Sequence, residues 1–205
     1  MFIGKWNKSV ILTYVGLIIS ILGIYICFNN FEKGINLAIS CLIVAGTCDL
    51  FDGYVARKCK RTEEEKNFGI ELDSLVDTIA FIALPVSIYF KLQMNCWYHF
   101  IVIATFAICG IARLAYFNII TADNTNAVEY YTGVPITYIA MAFPTFYLLK
   151  YILPLDVFKI ILPLLILSVA ISNISNIKVK KPKGICYIIL PISAILMLAL
   201  YLGVL

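Results

Sequence analysis

Charged residues and histidine are scarce in this sequence. Only 14% of the 205 residues are charged, and His99 is the single histidine. Soluble domains carry roughly 25% charged residues, so the composition excludes an ordinary soluble domain. A site built from several histidine ligands is excluded as well. We interpret His99 as a neutral residue near a membrane interface.

Paired cysteines are absent too. The seven cysteines are scattered singly, with an odd total and no C-x-x-C spacing. This scatter indicates neither a disulfide framework nor a zinc site, and we interpret the cysteines as small apolar packing residues. The sequence also lacks internal repeats and low-complexity tracts.

Apolar residues, in contrast, are abundant. They make up 62% of the chain, and the mean hydropathy is +0.94. The sequence therefore predicts an all-α, polytopic transmembrane helix bundle of six to eight spans, forming one domain over residues 1–205. If 133–173 is a single bent element, the number of spans is six. A span needs about 20 apolar residues, and about seven stretches qualify: 9–28, 35–57, 70–90, 98–119, 133–149, 154–173 and 185–204.

The basic residues favour one orientation of the bundle. If the amino terminus lies inside the cell, twelve of the sixteen lysines and arginines fall on inner segments. Basic residues prefer the cytoplasmic side, so we expect a multi-pass protein of the cell membrane with a cytoplasmic amino terminus. The inner residues are Lys5, Lys8, Arg57, Lys58, Lys60, Arg61, Lys66, Arg113, Lys178, Lys180, Lys181 and Lys183, and the outer ones are Lys33, Lys91, Lys150 and Lys159.

Four aspartates stand at the predicted inner ends of the second and third spans. An unpaired carboxylate is costly inside a membrane and is usually functional there. On each span the aspartates share one helix face with small residues, because their spacings are i, i+3, i+4 and i+7 or i, i+4 and i+8. These residues are Asp49, Asp52, Gly53 and Ala56 on the second span, and Gly69, Asp73 and Asp77 on the third.

Packing these two faces together would bring four carboxylates close to one another. Four negative charges at that distance do not all stay ionised without compensation, and divalent cations prefer oxygen ligands. The pattern therefore predicts a metal site that opens to the cytosol. The small residues leave room for a bulky ligand beside it. Thr13 and Gly16 on the first span are weaker candidates for facing this pocket, with helix packing as the leading explanation.

The same stretch resembles the signature of the CDP-alcohol phosphatidyltransferase family, D-x-x-D-G-x-x-A-R followed by G-x-x-x-D-x-x-x-D. The eleven residues between Arg57 and Gly69 are more than is usual in the family, but Lys58–Lys66 has the composition of a surface loop. The wider sequence, including the segments around Arg113 and Pro135, is most similar to the branch of the family that uses serine. All eight defining positions are present: Asp49, Asp52, Gly53, Ala56, Arg57, Gly69, Asp73 and Asp77.

This resemblance implies an enzyme of phospholipid biosynthesis, with a catalytic core at about 9–150. In the reaction it implies, the phosphatidyl group passes from CDP-diacylglycerol to L-serine, and CMP is released. The resemblance further implies two divalent ions, Mg²⁺ or Mn²⁺, held by the four aspartates. It also implies a homodimer in contact with membrane lipids, and no nucleic-acid partner is expected.

The resemblance also implies roles for individual residues. Asp77, the last of the four aspartates, is the implied general base that takes the proton of the serine hydroxyl. Arg113, and more weakly Asn118, are candidates for binding a phosphate or the serine carboxylate. A snorkelling membrane anchor is the alternative for Arg113. The residues implied in CDP-lipid binding are Asp49, Gly53, Ala56, Arg57 and Gly69.

Three alternatives stay open at this point. The acceptor could be glycerol 3-phosphate or inositol phosphate, although these anions favour a more basic site than Arg57 and Arg113 provide. The lipid could carry archaeal ether chains, because the site would contact the same pyrophosphate. A cation transporter would use the aspartates as ion sites, but such sites tend to lie at the membrane midplane, with internal repeats.

Overall fold

The computed structural model describes residues 4–94, 96–123, 130–180 and 184–204. Most of these residues are helical, and two short strands, β1 (Tyr130–Thr132) and β2 (Lys178–Lys180), pair antiparallel. The predicted all-α bundle is confirmed. Its α-helices are α1 (Ile11–Phe28), α2 (Gly34–Lys58), α3 (Glu63–Thr78), α4 (Leu84–Lys91), α5 (Trp97–Asp123), α6 (Ile139–Leu148), α7 (Leu155–Ile174) and α8 (Cys186–Ala199).

Six helices in the described part of the chain are long and apolar enough to cross a membrane. Each corresponds to one of the predicted spans. The chain is therefore a multi-pass membrane protein, and the number of spans lies in the predicted range. The six helices are Lys8–Phe28, Gly34–Lys58, Glu63–Lys91, Trp97–Ile120, Leu155–Ile174 and Cys186–Gly203.

The remaining predicted span, 133–149, is a shorter helical stretch. It consists of α6 with a 3₁₀ turn at each end, covering residues 136–151. A 3₁₀ residue rises about 2.0 Å against 1.5 Å in an α-helix, so this stretch is about 27 Å long. It starts beside the end of α7, where the Val134 amide donates to the Ser172 carbonyl at 3.0 Å, and it returns to the start of α7. It therefore runs antiparallel to α7, and 133–173 is not one bent element.

The turn between α2 and α3 is shorter than the sequence indicated, because α3 already begins at Glu63. The predicted surface loop is therefore helical beyond Thr62. The cause is a capping box: the Glu65 amide donates to the Thr62 hydroxyl (3.2 Å), and the Thr62 amide donates to the Glu65 carboxylate (2.8 Å). We call this end of the bundle, where α2 ends and α3 begins, the aspartate end.

Buried aromatic contacts hold the opposite end together. His99 lies in the first turn of α5, and its Nδ1 is 2.6 Å from the Tyr89 hydroxyl. The Tyr201 hydroxyl, just beyond α8, donates to the Pro144 carbonyl in α6 at 2.6 Å, and the Tyr201 ring packs on Tyr147. This contact joins α8 to α6 far from the aspartates. Nearer the aspartate end, a cavity separates the two helices.

The two strands join the α5–α6 and α7–α8 connections at the aspartate end. Directly after β1, Gly133 adopts a φ of +76°, and its amide donates to the Ile177 carbonyl at 2.9 Å. A Cβ on Gly133 would collide with the carbonyl oxygen of Asn173. Both the backbone conformation and the close approach therefore require glycine.

Replacing Gly133 by alanine is expected to destabilise the protein more than replacing Gly184. Both glycines have positive φ, which costs alanine about 1–2 kcal/mol. Among the described residues, a Cβ on Gly184 meets no atom within 4 Å, whereas one on Gly133 meets the Asn173 backbone. We expect an additional loss of about 1–3 kcal/mol for Gly133→Ala. Unfolding of both variants in detergent measures the difference, and equal losses would contradict the close approach.

Candidate active site

The four predicted metal ligands converge at the aspartate end. Asp49 and Asp52 lie on the second half of α2, and Asp73 and Asp77 lie on α3. Carboxylate oxygens of Asp49, Asp52 and Asp73 are all within 4.8 Å of one another. Asp77 borders the same small cavity as the other three, and its carboxyl group is within hydrogen-bonding reach of Asp49. We call these four residues the aspartate cluster.

A small cavity between α1, α2 and α3 is bordered by the four aspartates and otherwise mainly by apolar residues. Its volume is about 10 Å³, close to the minimum that one water-sized sphere needs. Asp52 and Asp77 are each only 8% exposed. The Thr13 hydroxyl of α1 donates to the Asp52 carboxylate at 3.4 Å, and Gly16 borders the same cavity. The weaker candidates from the first span therefore both lie at the site.

Neighbouring side chains do not neutralise the aspartate cluster. Among the described residues, no lysine or arginine forms an ion pair with any of the four aspartates. The charge of Arg113 acts on Asp49 and Asp77, but one arginine cannot balance four carboxylates. A close set of carboxylate oxygens is the donor type that hard divalent cations prefer. The aspartate cluster could therefore bind a metal ion.

A second cavity of about 230 Å³ lies between the ends of α1, α2 and α3, and we call it the glycine cavity. Asp52 and Asp73 border it, which places it directly beside the aspartate cluster. A Cβ on Gly69 would meet no atom closer than 3.8 Å, so the space beside this residue is open. The cavity brings together the small residues of the signature and two arginines: Gly53, Ala56, Arg57, Arg61 and Gly69.

A third cavity, of about 610 Å³, lies between α2, α6 and α8, and we call it the large cavity. Its polar end is bordered by Asp49, Asp52 and Asp73, so Asp52 and Asp73 border all three cavities. The aspartate cluster thus stands where the three spaces meet. Further from the cluster the lining is mainly apolar and includes Ile43, Met141, Phe146, Leu190 and Ala194.

Arg113 and Asn118 lie near the aspartate cluster but border none of the three cavities. Arg113 is 6% exposed, and its guanidinium group lies 5.0 Å from the ring centroid of Phe117 and 5.7 Å from that of Tyr131. This burial does not fit a snorkelling anchor. The Asn118 amide nitrogen donates to the Ser74 hydroxyl at 2.9 Å. A role of Arg113 and Asn118 in binding phosphate or acceptor stays a prediction.

The sequence did not single out the hydroxyl side chains at the polar end of the large cavity. Tyr131, Thr137, Tyr138 and Tyr187 all border it, and they come from three separate segments. Burial raises the pKa of Tyr131 to about 12, so its hydroxyl keeps its proton at neutral pH. No spacing rule connects residues so far apart in the chain. Only the tertiary structure brings them together.

Arg61 of the glycine cavity was also not singled out as a site residue. It lies in the turn between α2 and α3, a segment whose mixed charges indicate an exposed connector. Its distance of four residues from Arg57 would have been a usable signal, because α2 ends at Lys58 and a short turn keeps Arg61 at the same end of the bundle. The turn then places Arg61 beside Gly69.

Known proteins resemble this chain over the same region. The sequence model of CDP-alcohol phosphatidyltransferases matches residues 6–197. The chain is 29% identical over 156 residues to the archaetidylserine synthase of Methanothermobacter thermautotrophicus, covering 76% of this chain and 63% of that protein. It is 35% identical over 99 residues to the CDP-diacylglycerol–serine O-phosphatidyltransferase of Saccharomyces cerevisiae (45% and 35%), and 36% identical over 108 residues to that of Helicobacter pylori (52% and 44%).

The matched region spans between 35% and 63% of the length of these relatives. The family match is more extensive, because residues 6–197 include the whole aspartate cluster and every residue that borders the three cavities. The eight signature positions thus occur together with the geometry described above. This chain belongs to the CDP-alcohol phosphatidyltransferase family.

Proposed function

We propose that this protein transfers the phosphatidyl group of CDP-diacylglycerol to the hydroxyl group of L-serine and releases CMP. The observation that carries the proposal is the junction of a small polar cavity and a large apolar one at Asp52 and Asp73. A CDP-lipid has the matching layout, because its pyrophosphate joins a nucleotide to lipid chains. The serine named in the matched relatives supports serine as the acceptor.

The aspartate cluster fits divalent metal ions, and we propose two of them, Mg²⁺ or Mn²⁺. The fit rests on donor chemistry, since three carboxylate oxygens lie within 4.8 Å of one another and no arginine or lysine of the described residues forms an ion pair with them. Asp49, Asp52, Asp73 and Asp77 would hold the ions. When bound, they would offset the charge of the pyrophosphate and of the departing CMP.

The glycine cavity is the proposed site of the cytidine nucleotide. Gly53, Ala56 and Gly69 keep this cavity open, because none of them places a large side chain in it. Arg57 and Arg61 border the same space and supply charged donors for phosphate oxygens. Asp49 borders the large cavity instead, so it faces the phosphatidyl side of the same substrate.

Asp77 is the proposed general base. It borders neither of the two larger cavities, but it shares the small cavity with Asp52 and Asp73, which border both of them. We therefore place Asp77 at the reacting phosphate and not at the nucleotide or the chains. In the proposed step, the serine oxygen forms a bond to phosphorus and its proton passes to Asp77. The bond from phosphorus to the CMP oxygen breaks, and CMP leaves with the electron pair.

The large cavity is the proposed site for the acceptor at its polar end and for lipid chains along its apolar walls. The helices α6 and α8 meet at Tyr201 and Pro144 and are separated by the cavity nearer the aspartates. Apolar walls contact ether-linked chains as well as acyl chains. The similarity to an archaetidylserine synthase therefore keeps an archaeal ether CDP-lipid as the alternative substrate.

We further propose that the protein lies in the cell membrane with its aspartate end towards the cytoplasm. Basic residues support this orientation, because Arg57, Lys58 and Lys60 lie at the aspartate end, whereas Lys33 and Lys91 lie at the other. Lys181 and Lys183, which the sequence also places inside, are outside the described residues. A homodimer is proposed on the family resemblance alone.

Purified protein is expected to release CMP from CDP-diacylglycerol only when L-serine and Mg²⁺ or Mn²⁺ are both present. Glycerol 3-phosphate and inositol phosphate serve as competing acceptors, and a chelator serves as the metal control. Chromatography of CMP and of the lipid product measures the reaction. CMP release with a different acceptor in place of serine would contradict serine as the acceptor. Folded protein that releases no CMP with any acceptor would contradict the proposed transferase activity.

Replacing Asp77 by asparagine is expected to lower kcat by about 100-fold or more, because a general base contributes at least that much to a proton transfer. Binding of CDP-diacylglycerol at saturating metal should change little, since the amide keeps the shape of the side chain and one oxygen ligand. The matched control is Glu71→Gln on the exposed side of the same helix. Near-normal turnover of Asp77→Asn would remove Asp77 from the role of base.

Filling the glycine cavity is expected to weaken CDP-lipid binding. Leucine at position 69 would occupy part of the 230 Å³ that Gly69 leaves open, so KM for the CDP-lipid should rise at least tenfold with little loss of stability. The smaller change Gly69→Ala should have a weak effect, because its Cβ lies at ordinary contact distance. An unchanged KM in Gly69→Leu would place the nucleotide elsewhere.

A further inference from the structure

Neutral hydroxyl groups line the polar end of the large cavity. Tyr138 and Thr137 come from the 3₁₀ turn before α6, and Tyr187 comes from the first turn of α8. The α2 wall of the same cavity carries Asp49. A molecule in this part of the cavity would therefore contact hydroxyl donors and the aspartate cluster at the same time.

Positive charge is scarce in this lining. Among the described residues, Arg57 is the only lysine or arginine that borders the large cavity. It also borders the glycine cavity, where the nucleotide phosphates would use it. Proteins bind phosphate dianions mainly through arginine and lysine. The lining is therefore poorly suited to an acceptor that carries a phosphate group, and better suited to one without net charge.

Tyr138 and Tyr187 are placed to bind such an acceptor. Within the described residues, neither hydroxyl takes part in a hydrogen bond to the protein, and Tyr138 is 37% exposed. A preference of tyrosine for the membrane interface explains one such residue at the start of a helix. It does not explain why two tyrosines from separate helices border the cavity that also contains the aspartates.

We propose that the hydroxyl groups of Tyr138 and Tyr187 bind the acceptor alcohol and select for a zwitterionic acceptor over one that carries a phosphate. The two tyrosines are specificity-determining residues that contact the acceptor, while Asp77 takes its proton. This inference rests on the proposed transferase function and adds the residues that choose its acceptor. It concerns only the acceptor, because the CDP-lipid is bound by the glycine cavity and the apolar walls.

The test compares Tyr138→Phe and Tyr187→Phe with wild type in the CMP-release assay. Each variant keeps the aromatic ring and loses one hydroxyl, so KM for L-serine should rise about 3- to 10-fold, the usual effect of one hydrogen bond. KM for CDP-diacylglycerol and the binding of this lipid without acceptor should not change. The matched control is Tyr116→Phe on α5, which is 51% exposed and borders none of the cavities.

A gain-of-function variant tests the choice of acceptor directly. Tyr138→Lys adds a cation to the lining and should raise kcat/KM for glycerol 3-phosphate relative to that for serine by about tenfold or more. This ratio is measured within one protein preparation, so a partial loss of folded protein does not change it. An unchanged ratio would overturn the selection by charge.

The outcomes separate this inference from the proposed function. If wild-type protein uses serine but both phenylalanine variants keep the wild-type KM for serine, the transferase stands and the tyrosine assignment is overturned. An equal rise in KM for serine and for the CDP-lipid would also overturn it, because the tyrosines would then act on the site as a whole. Wild-type protein that prefers a phosphate-bearing acceptor would overturn both proposals.

Discussion

Repulsion among the carboxylates of the aspartate cluster is the constraint on which this structure depends. Oxygen atoms of three aspartates lie within 4.8 Å of one another, and Asp77 adjoins them with only 8% of its surface exposed. Like charges at such distances are unfavourable in a poorly solvated interior. The packing of α1, α2 and α3 must hold these carboxylates together. A bound cation would replace their mutual repulsion by attraction to the cation, and this attraction would contribute to the free energy of metal binding.

The position of the aspartate cluster also organises the rest of the molecule. Asp52 and Asp73 border all three cavities, so a single set of charges serves a polar space and an apolar one. The polar space is formed by helix ends with small residues. The apolar space exists because α6 and α8 are joined at Tyr201 and Pro144 and separated nearer the cluster. A substrate with a charged centre between two unlike ends matches this division.

In the proposed chemistry, the aspartate cluster supports the transfer reaction, and the hydroxyl groups that line the large cavity select the acceptor. Carboxylates that hold cations suit any acceptor alcohol, because the pyrophosphate and the leaving group are the same for each. The acceptor is distinguished by what surrounds it, and in our proposal Tyr138 and Tyr187, which border the large cavity, provide neutral donors to it. Each neutral hydrogen-bond partner needs to contribute only a little binding energy to this selection. A phosphate-bearing competitor is already disfavoured, because the cavity does not offer the cations that a phosphate needs.

The sequence by itself determined the helical character, the membrane setting, the family and the aspartate cluster. Each of these depends on local composition or on spacings within two helices, such as the i, i+4 spacing of Asp73 and Asp77. Helix geometry converts such spacings into a shared face. The sequence also contained the T-x-x-E capping signal at Thr62, although the mixed charges of Lys58–Lys66 indicated a surface loop.

Only the tertiary structure decided the cavity walls, the hydroxyl lining and the course of residues 136–151. Tyr131, Tyr138 and Tyr187 meet because β1 pairs with β2 and because Gly133 lets two connections approach closely. The stretch 136–151 comes within about 3 Å of the length of α7, because its 3₁₀ turns rise further per residue than an α-helix does. These features depend on contacts between residues far apart in the chain, which local periodicity does not encode.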